Sequence, residues 1–135
     1  MKDLKDLDFS GIWTSTYWYT SSRRGPGEYT SVHQLMAQRR GNQVIFESLP
    51  NDEGSFVLIR LKLDGRLANG GWEETSSPNG PFKGARFYGP IQLVLDEDGK
   101  AFRGLSLVTG REMKVKTNRV EIVHNPQSPA HVETA

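Results

Sequence analysis

The stretch Ser55-Phe56-Val57-Leu58-Ile59-Arg60-Leu61-Lys62-Leu63-Asp64 puts Val57, Ile59, Leu61 and Leu63 on one side and Arg60, Lys62 and Asp64 on the other. Successive side chains of a strand point to opposite faces, so period two over this length marks a half-buried β-strand. The pattern returns in Phe87, Gly89, Ile91, Leu93 and Leu95. Outward from these two segments, glycines and prolines punctuate short runs of β-branched and aromatic residues. Eight such runs can be read: Ile12–Thr20, Tyr29–Ala37, Gln43–Ser48, Ser55–Asp64, Leu67–Ser76, Phe82–Leu95, Ala101–Val108 and Met113–Val123. No segment shows an amphipathic helical stripe, so the chain is all-β.

Eight strands joined by hairpin-length links need no long crossover, and closing them on themselves removes exposed edges. The expected architecture is an eight-stranded antiparallel up-and-down barrel, whose interior has room for side chains or one small ligand. Alternation up and down sorts the connections. Ser21–Glu28, Leu49–Gly54, Ser77–Pro81 and Thr109–Glu112 gather at a loop-rich end. Gln38–Asn42, Gly65-Arg66 and Asp96–Lys100 gather at a shorter-turned end, where the first strand begins. In the last run the apolar set shifts from Met113 and Val115 to Val120 and Ile122, which suggests a β-bulge near Asn118. The expected organisation is a linker or short helical turn over 1–8, the barrel over 9–124 and a flexible tail over 125–135.

With 17 Lys and Arg against 16 Asp and Glu, the net charge of +1 gives no broad electrostatic footprint for nucleic acid. Arg23-Arg24 and Arg39-Arg40 are local excesses that read as solvated loops. No apolar run approaches a bilayer span and no secretory leader opens the chain, so no membrane association is expected. Cysteine is absent, which excludes disulfides, thiolate catalysis and thiolate zinc sites and suits a cytoplasmic location. No cofactor or metal is expected. The three histidines are scattered, and no nucleophile elbow, phosphate loop or paired-carboxylate motif accompanies them.

Two resemblances add to this reading. Phe9-Ser10-Gly11-Ile12-Trp13 opens the first strand with Gly-x-Trp, and in this it resembles the lipocalins. The resemblance implies that Trp13 plugs the closed end, with an Arg from near the last strand packed across it, here Arg119. A second likeness covers about Gly11 to Val123 and runs through Ser48-Leu49-Pro50-Asn51, Ala68-Asn69-Gly70-Gly71-Trp72, Glu74, Ser77-Pro78 and Tyr88-Gly89-Pro90-Ile91-Gln92-Leu93. It is similar to a lipocalin-like domain found behind Xre-type helix-turn-helix regulators, mostly actinobacterial. The helix-turn-helix itself is missing here, so nucleic-acid binding by this domain alone is not implied.

The candidate site residues lie on four strands. Trp13, Ser15, Tyr17 and Tyr19 share one, which reads either as an aromatic core stripe or as a stacking wall climbing toward the loop-rich mouth. Trp18 then faces out, where it could serve as a contact surface. Trp72, Glu74 and Ser76 form a second set, inward or outward according to the phase of the fifth strand. Phe87 joins them from the sixth. If inward, Glu74 must be paired, hydrogen-bonded or protonated, because an isolated buried charge costs several kcal/mol or more. His33 lies in the second strand, whose phase is open between Tyr29, Ser31, His33, Leu35 and Thr30, Val32, Gln34, Met36.

The functional expectation is a barrel that binds an unidentified small molecule, for sensing or sequestration, with the sensor part of a regulator as one such role. The alternatives are an interaction module with a filled interior and an enzyme using Glu74 or His33 as acid or base. The sequence leaves a homodimer open.

Overall fold

A computed structural model describes residues 7–21, 25–109 and 113–125. Within them β1 (Ile12–Ser21), β2 (Gly25–Arg40), β3 (Gln43–Ser48), β4 (Phe56–Asp64), β5 (Leu67–Thr75), β6 (Arg86–Leu95), β7 (Ala101–Thr109) and β8 (Val115–His124) close into a barrel in chain order. Every neighbouring pair is antiparallel, and β1 pairs with β8 to complete the ring. This is the up-and-down topology of a lipocalin-like barrel. The turn expected at the N-terminus and most of the expected tail fall in 1–6 and 126–135, outside the described residues, as do Arg23-Arg24 and His131.

The period-two faces predicted for β4 and β6 are the inner faces. Val57, Ile59, Leu61 and Leu63 are buried, as are Ile91, Leu93 and Leu95. Coiling a sheet this tightly brings backbones close. Were a Cβ present on Gly70, it would stand 1.7 Å from the Arg60 carbonyl oxygen, so the bend between β4 and β5 requires a residue without one.

The end where β1 begins is filled with aromatic rings. Trp13 is fully buried, 5.4 Å from the Phe46 ring, 5.7 Å from Phe102 and 4.9 Å from His124. Its indole N–H donates to the Phe9 carbonyl at 2.9 Å, so the residues before β1 fold under the barrel. Leu7 is buried there too, against the β6–β7 turn, and its carbonyl accepts from the Arg39 guanidinium. That same guanidinium lies 5.2 Å over the Phe9 ring.

Four expectations are corrected. Arg119 does not cover Trp13: Val120 and Ile122 are inward, so alternation turns Arg119 out, where its guanidinium lies 4.0 Å over Trp18. Trp18 faces out as expected and is partly exposed beneath that guanidinium. The bulge near Asn118 is also absent, since β7 and β8 pair without a register break from Thr109–Val115 to Ala101–Val123. The apolar set shifts because Val115 faces solvent while Asn118, two residues before Val120, is buried inside. The interior turns polar toward the loop-rich end, and the hydrophobic pattern changes face with it.

The other two corrections concern ends of strands. β2 is paired down to Gly25, with Tyr29 opposite Tyr19 and Glu28 opposite Thr20, so much of the expected first loop is ladder. A register shift between Thr20 and Ser21 accommodates the extension. Phe82–Ala85 is turn rather than strand. The Ser77 carbonyl accepts from both Gly80 and Gly84, and Phe82 from Ala85, which satisfies locally the groups a strand would pair.

The base makes a testable claim. Trp13→Ala removes the ring that Phe9, Phe46, Phe102 and His124 pack against, and should cost about 3–5 kcal/mol in a urea unfolding titration, the usual range for a large buried truncation. Arg119→Ala, losing only a surface cation–ring contact, should cost less than about 1 kcal/mol. Reversal of that order would place the seal of the barrel at Arg119.

Candidate functional site

Above the aromatic base the barrel is hollow. A cavity of about 1000 Å³ opens among the β3–β4 and β5–β6 turns, at the loop-rich end. It exists because the inward residues there are small or polar: Ser31 and His33 on β2, Ser55 leading into β4, Ser76 after β5, and Asn118 on β8. These side chains cannot reach across a ring of eight strands.

One pair does span the lumen. Tyr17 on β1 and Glu74 on β5, four strands apart around the barrel, meet when the Tyr17 hydroxyl donates to Glu74 Oε1. Both Tyr17 and Trp72 line the large cavity on one side and a void of about 20 Å³ on the other. The pair is therefore the floor of the cup. Burial pushes the Glu74 carboxyl above its ordinary value, an effect the bond from Tyr17 partly offsets. Burial, and then the Glu74 charge, push the Tyr17 phenol up as well, so it keeps its proton.

Trp72 is held by a device particular to β6. The β6–β7 ladder runs from Leu95–Phe102 only as far as Ile91–Ser106. Beyond it the Trp72 indole donates to the Leu107 carbonyl at 3.1 Å. A Cβ on Gly89 would lie 2.0 Å from that carbonyl oxygen, so glycine is what lets β7 come close enough to receive the indole. The ring is thereby set 6.2 Å from Tyr17. The aromatic wall continues from Tyr17 to Tyr19 at 5.4 Å, from Tyr19 to Phe82 at 6.3 Å and from Phe82 to Phe87 at 5.5 Å.

The polar side of the cup is organised by Asn51. Its Oδ1 accepts from the amides of Glu53, Gly54 and Ser55, and its Nδ2 donates to the Ser55 carbonyl at 2.9 Å. The turn so fixed places Ser55 Oγ 2.8 Å from His33 Nε2. His33 Nδ1 and Ser76 Oγ are buried and have no hydrogen-bond partner among the described residues. Burial pushes the imidazole down, toward its neutral form.

Of the residues singled out by sequence, Tyr17, Tyr19, His33, Trp72, Glu74, Ser76 and Phe87 all line the cavity. Both open phases resolve inward, for His33 in β2 and for Glu74 in β5. Ser15 differs: it is buried beneath the floor, lining the small void. Ser31, Ser55, Phe82, Lys116 and Asn118 also line the cup. Asn118 and Lys116 are found by carrying the alternation of Val120 and Ile122 backward, and Ser55 by carrying that of Val57 and Ile59. Phe82 carries no such signal, because it sits in a turn. Among the described residues no group of three or more His, Asp or Glu could hold a metal ion. No family model, curated protein or solved structure matches this chain.

The floor predicts a pH signature. A carboxyl whose folded value is raised favours folding fully below the ordinary carboxylate range, and this contribution is lost as pH rises through the folded value. Glu74→Gln, which removes the titration but keeps an acceptor for Tyr17, should therefore gain stability relative to wild type as pH rises from about 4 to about 8. Urea melts across that range would show it. A difference that does not change with pH would mean that Glu74 is not desolvated in the fold.

Proposed function

We propose that this domain binds a small organic molecule in the cup above the Tyr17–Glu74 floor, with the Tyr19–Phe82–Phe87 wall against its apolar face. The observation that carries this reading is the cavity and its mixed lining. An open volume of about 1000 Å³ is large for a packed barrel, and Tyr19, Phe82 and Phe87 border it together with Glu74, Ser76 and Asn118.

Sensing is the role we favour over storage. It rests on the likeness, through Ala68–Trp72 and Tyr88–Leu93, to the domain behind Xre-type regulators, in which occupancy of a cup would be the signal passed to an attached module. On that reading the domain is bacterial and works in the cytoplasm.

Titration with the uncharged fluorophore N-phenylnaphthylamine tests the cup directly. One saturable site is expected, and Ser31→Trp, which fills the lumen from β2, should abolish it while leaving the melting temperature near that of wild type. Native mass spectrometry of protein purified from its own host should show a co-purifying small molecule. No saturable site together with no added mass would leave the outer surface, and so an interaction module, as the working part.

A further inference from the structure

We infer that the cup is selective for a cationic amine on an apolar or aromatic body, with Glu74 as its counter-ion and the aromatic wall as its cage. The inference deepens the ligand-binding reading and rests on it. Three features of the geometry meet here.

The first is the set of acceptors. A primary ammonium has three N–H donors and needs three acceptors when it leaves water. The cup offers the Glu74 carboxylate, with the Ser31, Ser55 and Asn118 side chains lining the same space. Their hydroxyl and amide oxygens are acceptors.

The second feature is the π-face array. Tyr19, Trp72, Phe82 and Phe87 border the same space. Aromatic faces attract a cation, more strongly where water is excluded.

The third is the charge around Glu74. Tyr17 faces it from β1 and His33 lines the same cup from β2, while the rim carries Asp52 and Glu53 on the β3–β4 turn against Lys116 on β8. Tyr17 gives it a hydrogen bond but no charge, and no salt bridge to Glu74 occurs among the described residues. Among the described residues the buried carboxylate is thus without a cation partner.

Binding then has a defined proton balance. The ammonium enters with its charge, Glu74 gives up whatever proton it holds in the empty cup to the buffer, and no covalent bond forms or breaks. Burial holds that proton above the ordinary carboxylate range. Affinity for an amine should therefore fall as pH drops through the range in which empty-cup Glu74 takes up its proton, with proton uptake and release visible as a buffer-dependent calorimetric enthalpy.

Three probes of one shape separate the possibilities: naphthylmethylamine, naphthol and naphthoate. We expect naphthylmethylamine to bind at least ten-fold more tightly than naphthoate, which would instead have to use Lys116. Glu74→Gln should weaken the amine at least about ten-fold, as expected for a lost charge-assisted contact, and leave naphthol nearly unchanged. The wild-type pH and buffer dependence decides the matter even if a variant fails to fold. Equal or tighter binding of naphthoate, an amine affinity indifferent to Glu74→Gln, or no proton release would overturn the assignment. Those results would leave the cup itself standing if N-phenylnaphthylamine still binds; failure of that fluorophore would remove the cup as well.

Discussion

A ring of eight strands has a nearly fixed girth, and the volume of its inward side chains therefore decides whether it is solid or hollow. In this protein the decision goes one way at each end. Trp13, Phe46 and Phe102, with Phe9 beneath them, are large enough to meet across the lumen and pack it. Toward the other end Ser31, Ser55, Ser76 and Asn118 occupy equivalent inward positions and leave the middle empty. The fold and the cup are consequences of one gradient in side-chain size along the barrel axis.

The Tyr17–Glu74 contact marks the boundary of that gradient, and it is of a different kind from the packing below it. Rings in the base are held by area and shape. The floor is a hydrogen-bonded pair with an ionisable member, fully satisfied only in one geometry. It joins β1 to β5 through the interior, as does the packing of Tyr17 on Trp72 beside it. Above the floor, support comes from the outside inward: Asn51 shapes a turn, the turn places Ser55, and Ser55 orients His33. Trp72 is positioned by a carbonyl of β7 that the ladder has released.

Much of this was legible in the residues. Strict alternation in Val57–Leu63 and Phe87–Leu95 gave the inner faces of β4 and β6, and the lack of a long connection gave closure. The inward aromatic and polar sets of β1 and β5 followed from the same period. What escaped was what alternation cannot encode. Arg119 was expected across Trp13 by resemblance, yet its parity with Val120 and Ile122 turns it out to Trp18. The apparent slip near Asn118 came from assuming that inward means apolar, an assumption that fails where the interior is a cup. Phe82 reaches the site from a turn whose geometry depends on local hydrogen bonds around Ser77. The phase of β2 was undecidable because Ser31, His33 and Leu35 are no more apolar than Val32, Gln34 and Met36, and only the neighbouring strands choose between them.

The seam between β1 and β8 has a kinetic meaning. Seven of the eight strand pairings join consecutive strands and can form as local hairpins. The eighth joins the two ends of the chain, and there the His124 side chain contacts the carbonyl of Ser10, 114 positions away. Loop-closure entropy must be met before such a contact returns anything. The aromatic base contains members from both ends, since Phe9 and Trp13 pack on Phe102 and His124. Its strongest packing is thus withheld until the ring shuts. Assembly should proceed as a slow, late-committing event in which an open, curved sheet with two unsatisfied edges precedes the native barrel, and that open sheet is the species most exposed to self-association during synthesis.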